Sequence, residues 1–357
     1  MKILITGICG FVGHAIAQRL KAEIPDSELV GLDNFIRPGS EHNRASLKAL
    51  GVALLHGDIR AASDLESLPA VDWVIDAAAN PSVLAGVDGR TSSRQIIEHN
   101  LVGTINVLEY CKRVGAGLIL LSTSRVYSIA GLAGLQVGVK DRAFSPNAAQ
   151  EFPLGISPLG VSEAYSTQAP VSLYGASKVA SEALIVEYST AFDFPVWINR
   201  CGVLGGAGQF GRPDQGIFSY WIHSWKHRKP LKYIGFDGQG HQVRDCLHPA
   251  DLASLLVRQL EAGPESSVPA IVNVSGGLES AISLRQLSDW CAHRFGAHEV
   301  GLEPIDRPFD IPWMVLDSSL AKDHWNWRPE RRLPDILEEI ARHAEANPDW
   351  LEISAPF

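Results

Sequence analysis

The sequence predicts a doubly wound α/β protein: a parallel sheet with helices on both faces, followed by a smaller C-terminal substrate-binding lobe. Three observations carry that prediction. From residue 2 to about residue 199, short and nearly continuous apolar runs alternate with longer helical periods, the pattern of strands buried on both faces. The first of these runs leads directly into glycines spaced three apart, at 7, 10 and 13. Beyond residue 200 the rhythm breaks into glycine-rich loops and proline-punctuated pieces.

Taken in order, "KILIT" (2–6) reads as a central strand, and the period after the glycines as a helix near 11–22. "ELVGL" (28–32) is the second strand and ends in Asp33; "VALLH" (52–56) is the third and leads into "GDIR". "DWVIDAA" (72–78) and "GLILLS" (117–122) flank a long helical stretch at 92–114. A helix at 175–192 and the strand "PVWIN" (195–199) complete the alternation that right-handed crossovers require.

In the smaller lobe, Phe218, Trp221 and Trp225 recur at helical spacing and read as core. A helix at 249–263 is expected to pack back on the large lobe, "AIVNVS" (270–275) is regular, and "WNWRPERRLPDILEEI" opens a terminal helix with a solvated charged face.

Composition narrows the function. Hydrophobic residues make up 46% and charged residues 20%, ordinary for a soluble globular protein. A net charge of −9 argues against nucleic acid and anionic membrane as partners, while leaving room for a local basic pocket around a small anion. The five cysteines show no pairing pattern, and no apolar run is long enough to span a bilayer. With no charged-then-apolar leader at the start, a cytoplasmic location is expected. His223, His227 and His248 lack metal-ligand spacing, so no metal is expected.

The glycine turn sets bare backbone N–H groups at a helix N-terminus, where a pyrophosphate binds. Asp33 lies twenty residues past Gly13, the place of a carboxylate that accepts from ribose hydroxyls. It would repel a 2′-phosphate, which favours NAD over NADP; Arg37 reads as a solvated loop charge, the alternative being a 2′-phosphate contact. Asp58 either accepts from the adenine amino group or caps a helix starting near Ala61. Tyr174 and Lys178 share one helical face, and a nearby ammonium pulls a phenol pKa of about 10 toward neutrality. Joined to Ser122, Thr123 and Ser124 at a carboxyl end of the sheet, they form a site for hydride chemistry on a carbinol.

The pieces "TGICGFVG", "LDNF", "HGDIR", "STSRVY", "YGASK" and "QVRDCLHPADL" resemble, in order, the extended short-chain dehydrogenase/reductases of the nucleotide-sugar epimerase and dehydratase family. The resemblance implies a Rossmann-like NAD-binding domain over 1–200, a substrate lobe over 201–357 with 243–262 returning to the large domain, and a homodimer. It implies that Thr123 hydrogen-bonds the reacting sugar oxygen, Tyr174 is the base, and Lys178 holds the nicotinamide ribose and lowers the phenol pKa. Gly7, Gly10, Phe11, Val12, Gly13, Asp33, Asn34, Asp58, Ile59, Ala77, Ala78, Ala79, Asn100 and Ser122 would form the cofactor's bed with Tyr174 and Lys178. Arg244 and Arg307 would meet the substrate diphosphate, with Ser124, Arg125, Asn199 and Gln215 as further substrate contacts.

Departures from the family pattern are Asn80, where many members carry glutamine, Ser128, in place of a glycine, and the 51 residues from Thr123 to Tyr174, more than many members have, so that 128–172 is expected to form an added flap over the sugar. The dehydratases of the family carry an acidic pair after the threonine; Ser124 and Arg125 stand there instead, which ranks epimerase above dehydratase. "FGRPDQGIFSYW" and "GQGHQVRDCLH" are most similar to members that invert carbon 2 of a CDP-linked 3,6-dideoxyhexose. The alternatives are a 4-epimerase, a nucleotide-sugar reductase and, outside enzymes, an NAD-sensing regulator.

Overall fold

The computed structural model describes the chain except residues 88, 90–91, 214, 264–267, 306–308 and 356–357. Its large sheet is seven-stranded: β1 (Lys2–Thr6), β2 (Glu28–Asp33), β3 (Ala53–His56), β4 (Trp73–Asp76), β5 (Gly117–Thr123), β6 (Val196–Cys201) and β7 (Ile271–Val274). Every pairing is parallel, in the spatial order β7–β6–β5–β4–β1–β2–β3. The order reverses between β1 and β4, and in open sheets of this kind that switch point opens a ligand crevice at the strands' carboxyl ends.

Strand pleating sends alternate side chains to the two helix layers. Ile3 and Ile5 of β1 pack with Ile16, Ala17 and Leu20 of α1 (Phe11–Glu23) and with Leu252, Leu255 and Leu256 of α5 (Pro249–Ala262). Leu4 faces the other layer, with Val107 and Leu108 of α2 (Gly103–Val114) and Ile185 of α3 (Ser172–Phe192). Only the edge strand β3 is largely exposed.

Three features differ from the sequence reading. The large sheet does not stop near residue 200, because β7 pairs with β6 in register Ile198↔Ile271 to Cys201↔Val274. The stretch 92–114 is not one helix: Ser93–Ile97 passes through a π-helical turn, Glu98–Val102, before α2. At that turn Asn100 is drawn to the loop after β4, and Gly103 meets Ile59, whose Cδ1 would lie 2.5 Å from any Cβ added there.

The segment 128–172 is not a flap over the cleft, and none of its residues lines it. Its apolar residues, among them Leu132, Leu135, Ile156, Val161 and Tyr165, are buried against Trp313, Met314, Val315 and Leu316 of the smaller lobe. Its hairpin, Val137–Lys140 with Ala143–Pro146, is tied down by an Arg142–Asp289 ion pair of 2.6 Å and by Phe144 N–H donating to His241 O.

In the smaller lobe, Trp221 and Trp225 of α4 (Ile217–Lys226) are buried against Ile336, Leu337 and Ile340 of α6 (Leu333–Ala346). Both indole N–H groups find acceptors, Ser288 Oγ at 3.0 Å and Gly296 O at 2.9 Å, as buried tryptophans require. Among the described residues no helix is long and apolar enough to cross a membrane, and no three His, Cys, Asp or Glu side chains are grouped to hold a metal ion.

Candidate active site

One cleft of about 510 Å³ runs along the carboxyl ends of the sheet and under the smaller lobe. At its floor Gly7 takes φ +62°, and a Cβ there would lie 2.9 Å from Ala78 Cα. A Cβ on Gly13 would lie 2.4 Å from Gly7 O, so α1 sits against the turn only because both positions are glycine. Gly10 caps α1 with no side-chain bond, which leaves the first-turn N–H groups facing the cleft beside Phe11 and Val12. This bare, positive helix terminus fits a dinucleotide pyrophosphate.

Asp33 ends β2 at the same cleft, buried, with Oδ2 accepting from Cys9 N–H at 2.8 Å and Oδ1 from Phe35 N–H at 2.8 Å. Burial raises its pKa against those two bonds, and each oxygen keeps a lone pair for a ribose hydroxyl. Asn34, Ile59, Ala77, Ala78 and Ala79 line the cleft around it.

Asp58 neither lines the cleft nor caps a helix at Ala61. Its carboxylate is held by Arg60 Nη2 at 2.6 Å and Asn34 Nδ2 at 3.0 Å, and the guanidinium keeps it well below the usual carboxylate range. Asn100 also lies behind the wall: its Oδ1 accepts from Asn80 N–H at 2.8 Å, while Nδ2 donates to Asn80 O and to Ser177 Oγ, both at 3.1 Å. It ties the wall segment to α3 and does not itself line the cleft.

Thr123 at the end of β5, Tyr174 in the first turn of α3 and Lys178 one turn later meet at the middle of the cleft. Ser172, at φ +71°, starts α3 three residues before the helix read from the sequence, and its Oγ accepts from Gly175 N–H at 3.2 Å. Burial pushes the Tyr174 phenol up to about 12, opposed by a hydrogen bond from Thr123 and by the charge of Arg125. The cation set against that shift is thus Arg125, not the Lys178 that the helical spacing suggested. Lys178 is almost wholly buried and donates from Nζ to Leu121 O at 3.1 Å. Ser122 is turned toward the helix, donating to Glu182 Oε1 at 2.5 Å.

The far end of the cleft is cationic. Arg244 donates to Val243 O, Ile311 O and Asp310 Oδ1 at 2.7, 3.0 and 2.8 Å, and Arg125 to Phe309 O at 3.2 Å. Burial, and then the like charge of Arg244, bring the Arg125 guanidinium down to about 10. Ser124 and Gln215 line the same cleft; Arg307 lies outside the described residues. Asn199 is not at the site: it is fully buried in β6 in a reciprocal amide pair with Gln259, both bonds 2.9 Å.

Sequence reasoning missed two residues of this wall. Arg37 is no solvated loop charge, since Nη1 donates to Gln215 Oε1 at 2.8 Å and Nη2 to Phe210 O, joining the loop after β2 to the smaller lobe. Its partners lie more than 170 positions along the chain, out of reach of any local pattern. Asp310 had one usable signal, the need of a half-buried Arg244 for a counter-charge.

The family described as the NAD dependent epimerase/dehydratase family matches residues 3–275. The CDP-paratose 2-epimerase of Salmonella typhi is 29% identical, covering 82% of this chain and 85% of that protein. The UDP-glucuronate 4-epimerase of Thermodesulfobacterium geofontis is 25% identical over 96% of each chain. In fold, the chain is similar to the solved structure of UDP-glucose 4-epimerase from Bifidobacterium longum in complex with NAD+ and UDP, with a TM-score of 0.78 at 20% identity, covering 98% of this chain and 100% of that one.

Proposed function

Because this chain belongs to the NAD-dependent epimerase/dehydratase family of enzymes, with NAD as its cofactor, we propose that it inverts carbon 2 of a CDP-linked 3,6-dideoxyhexose. The observation that carries the epimerase reading is the trio Thr123, Tyr174 and Lys178 on one cleft wall, with Arg125 where an elimination would need a carboxylate. The relative that acts on CDP-paratose supports the choice of carbon and nucleotide. Inversion at carbon 4 of a UDP-sugar is the second reading, supported by the relatives named for that reaction.

The glycine turn and the α1 N-terminus would hold the NAD pyrophosphate, Asp33 the adenosine ribose, and Lys178 the nicotinamide ribose. Bound there, NAD would supply reversible two-electron hydride chemistry at the carbinol carbon. Tyr174 as phenolate takes the hydroxyl proton, stores it while the carbon is planar, and gives it back when the alcohol re-forms. Thr123 donates to the oxygen that gains charge, and its hydrogen bond also favours the phenolate. Arg244 would bind the diphosphate, so that the sugar can turn about a fixed anchor, with Arg125 contacting the substrate nearer the reacting carbon.

Incubation with CDP-paratose, UDP-glucose and UDP-glucuronate, with products resolved by NMR, tests the reading. Inversion of CDP-paratose at carbon 2 is expected; inversion of a UDP-sugar alone replaces it with the second reading. The family resemblance leads us to expect a homodimer through the large-lobe helices, which sedimentation measures. Five buried free thiols suit the cytoplasm.

A further inference from the structure

Two buried charges near the switch point have no ion-pair partner within salt-bridge distance among the described residues. Asp76 ends β4 with 1% of its surface exposed; its Oδ1 accepts from Thr6 Oγ1 at 2.6 Å, and Thr6 Oγ1 in turn accepts from Ala78 N–H at 3.2 Å. Thr6 pairs with Asp76 across β1 and β4, and Leu120 pairs with it across β4 and β5. The carbonyl that receives the Lys178 ammonium belongs to the next residue of β5, Leu121. The β-ladder therefore sets carboxylate and ammonium at neighbouring strand ends beneath the cleft, beyond direct salt-bridge distance.

The carboxylate on the lysine's own helix is already committed. Glu182 is bound by Arg200 through Nε and Nη2, at 3.2 and 2.7 Å, and by the Ser122 hydroxyl. An unpaired ammonium in a water-poor wall loses its proton, and an unpaired carboxylate gains one.

We propose that Asp76 is the counter-ion of Lys178, a positioning residue that keeps the ammonium charged and leaves its remaining N–H bonds free for a vicinal diol such as a ribose. The use made of that charge rests on the epimerase reading; the pairing does not. Burial lowers the Lys178 pKa, and Asp76 is the foremost charge opposing it, ahead of Glu182. Burial raises Asp76, and Lys178 is the foremost group opposing that. The other groups facing the pair are neutral: the Cys201 thiol of β6, pushed up to about 12, the Cys111 thiol of α2, also pushed up by burial, and the Tyr174 phenol.

The test is titration of the full chain, without cofactor or sugar, by NMR of ε-¹³C-lysine, with the Lys178 signal identified by its loss in Lys178→Met. Asp76→Asn is expected to lower the Lys178 midpoint by at least one pH unit, about a tenfold loss of proton affinity. In the reciprocal arm, γ-¹³C-aspartate spectra of Lys178→Met should show the Asp76 midpoint moved upward. An unmoved Lys178 midpoint in folded Asp76→Asn overturns the pairing. So does an unmoved Asp76 midpoint in Lys178→Met, an arm that decides the matter if Asp76→Asn does not fold. Neither arm uses a substrate, so failure of the pairing is distinct from failure of the epimerase reading.

Discussion

Arg200 Nη2 lies 2.7 Å from Glu182 Oε2; both side chains are buried, and Glu182 stands one helical turn beyond Lys178. Glu182 belongs to α3 and Arg200 to β6, so the pair fixes the helix bearing Tyr174 and Lys178 against the sheet. Removing one partner of such a pair leaves an uncompensated buried charge. Glu182→Gln is expected to cost about 3–5 kcal/mol of stability, measured by urea unfolding. A loss within the range of surface substitutions would show that the helix is held by packing alone.

Arg125→Met is expected to raise the pH at which Tyr174 ionises. Burial raises the phenol, while the Thr123 hydrogen bond and, after it, the Arg125 charge lower it, so removing that charge takes away part of the opposition and the phenolate forms at higher pH. If phenolate is the active form, the acidic limb of kcat against pH moves upward. A limb that stays in place assigns the lowering to another group.

Asn199→Ala tests the buried amide pair. Loss of the two bonds to Gln259 leaves a buried amide unsatisfied, at a cost of about 1–3 kcal/mol in thermal or urea unfolding, with KM unchanged. A raised KM at unchanged stability would return Asn199 to the substrate site.

Gly13→Ala places a Cβ 2.4 Å from Gly7 O and 2.7 Å from Ile8 Cα. The helix must move away from the turn, with an expected cost of about 1–3 kcal/mol and loss of retained NAD, read by unfolding and by acid release of the cofactor. An undisturbed NAD content would contradict the glycine cradle.

Much of this architecture was legible because it is written locally. Apolar runs such as "KILIT" mark strands buried on both faces, and the Gly7–Gly10–Gly13 spacing with Asp33 encodes a turn whose geometry tolerates no Cβ. What escaped the sequence depends on distant partners. The amide of Asn199 finds Gln259 instead of a ligand, Asp58 is claimed by Arg60, and Asn100 serves the wall from behind. The segment 128–172 has the length of a flap, but its apolar residues find Trp313 and Leu316, so burial decides its place. Arg37 reads as solvated until Phe210 O and Gln215 Oε1, far along the chain, meet it.

The most direct measurement of the central claim is the reaction run in D₂O on the sugar nucleotide the protein accepts, with the product examined by NMR at the inverted carbon. Hydride withdrawn and returned within the cleft never exchanges with solvent, so the account predicts an inverted sugar carrying no deuterium at that carbon. Deuterium there would mean that the proton on carbon was removed and replaced from water, and would contradict the NAD-dependent cycle assigned to Thr123, Tyr174 and Lys178.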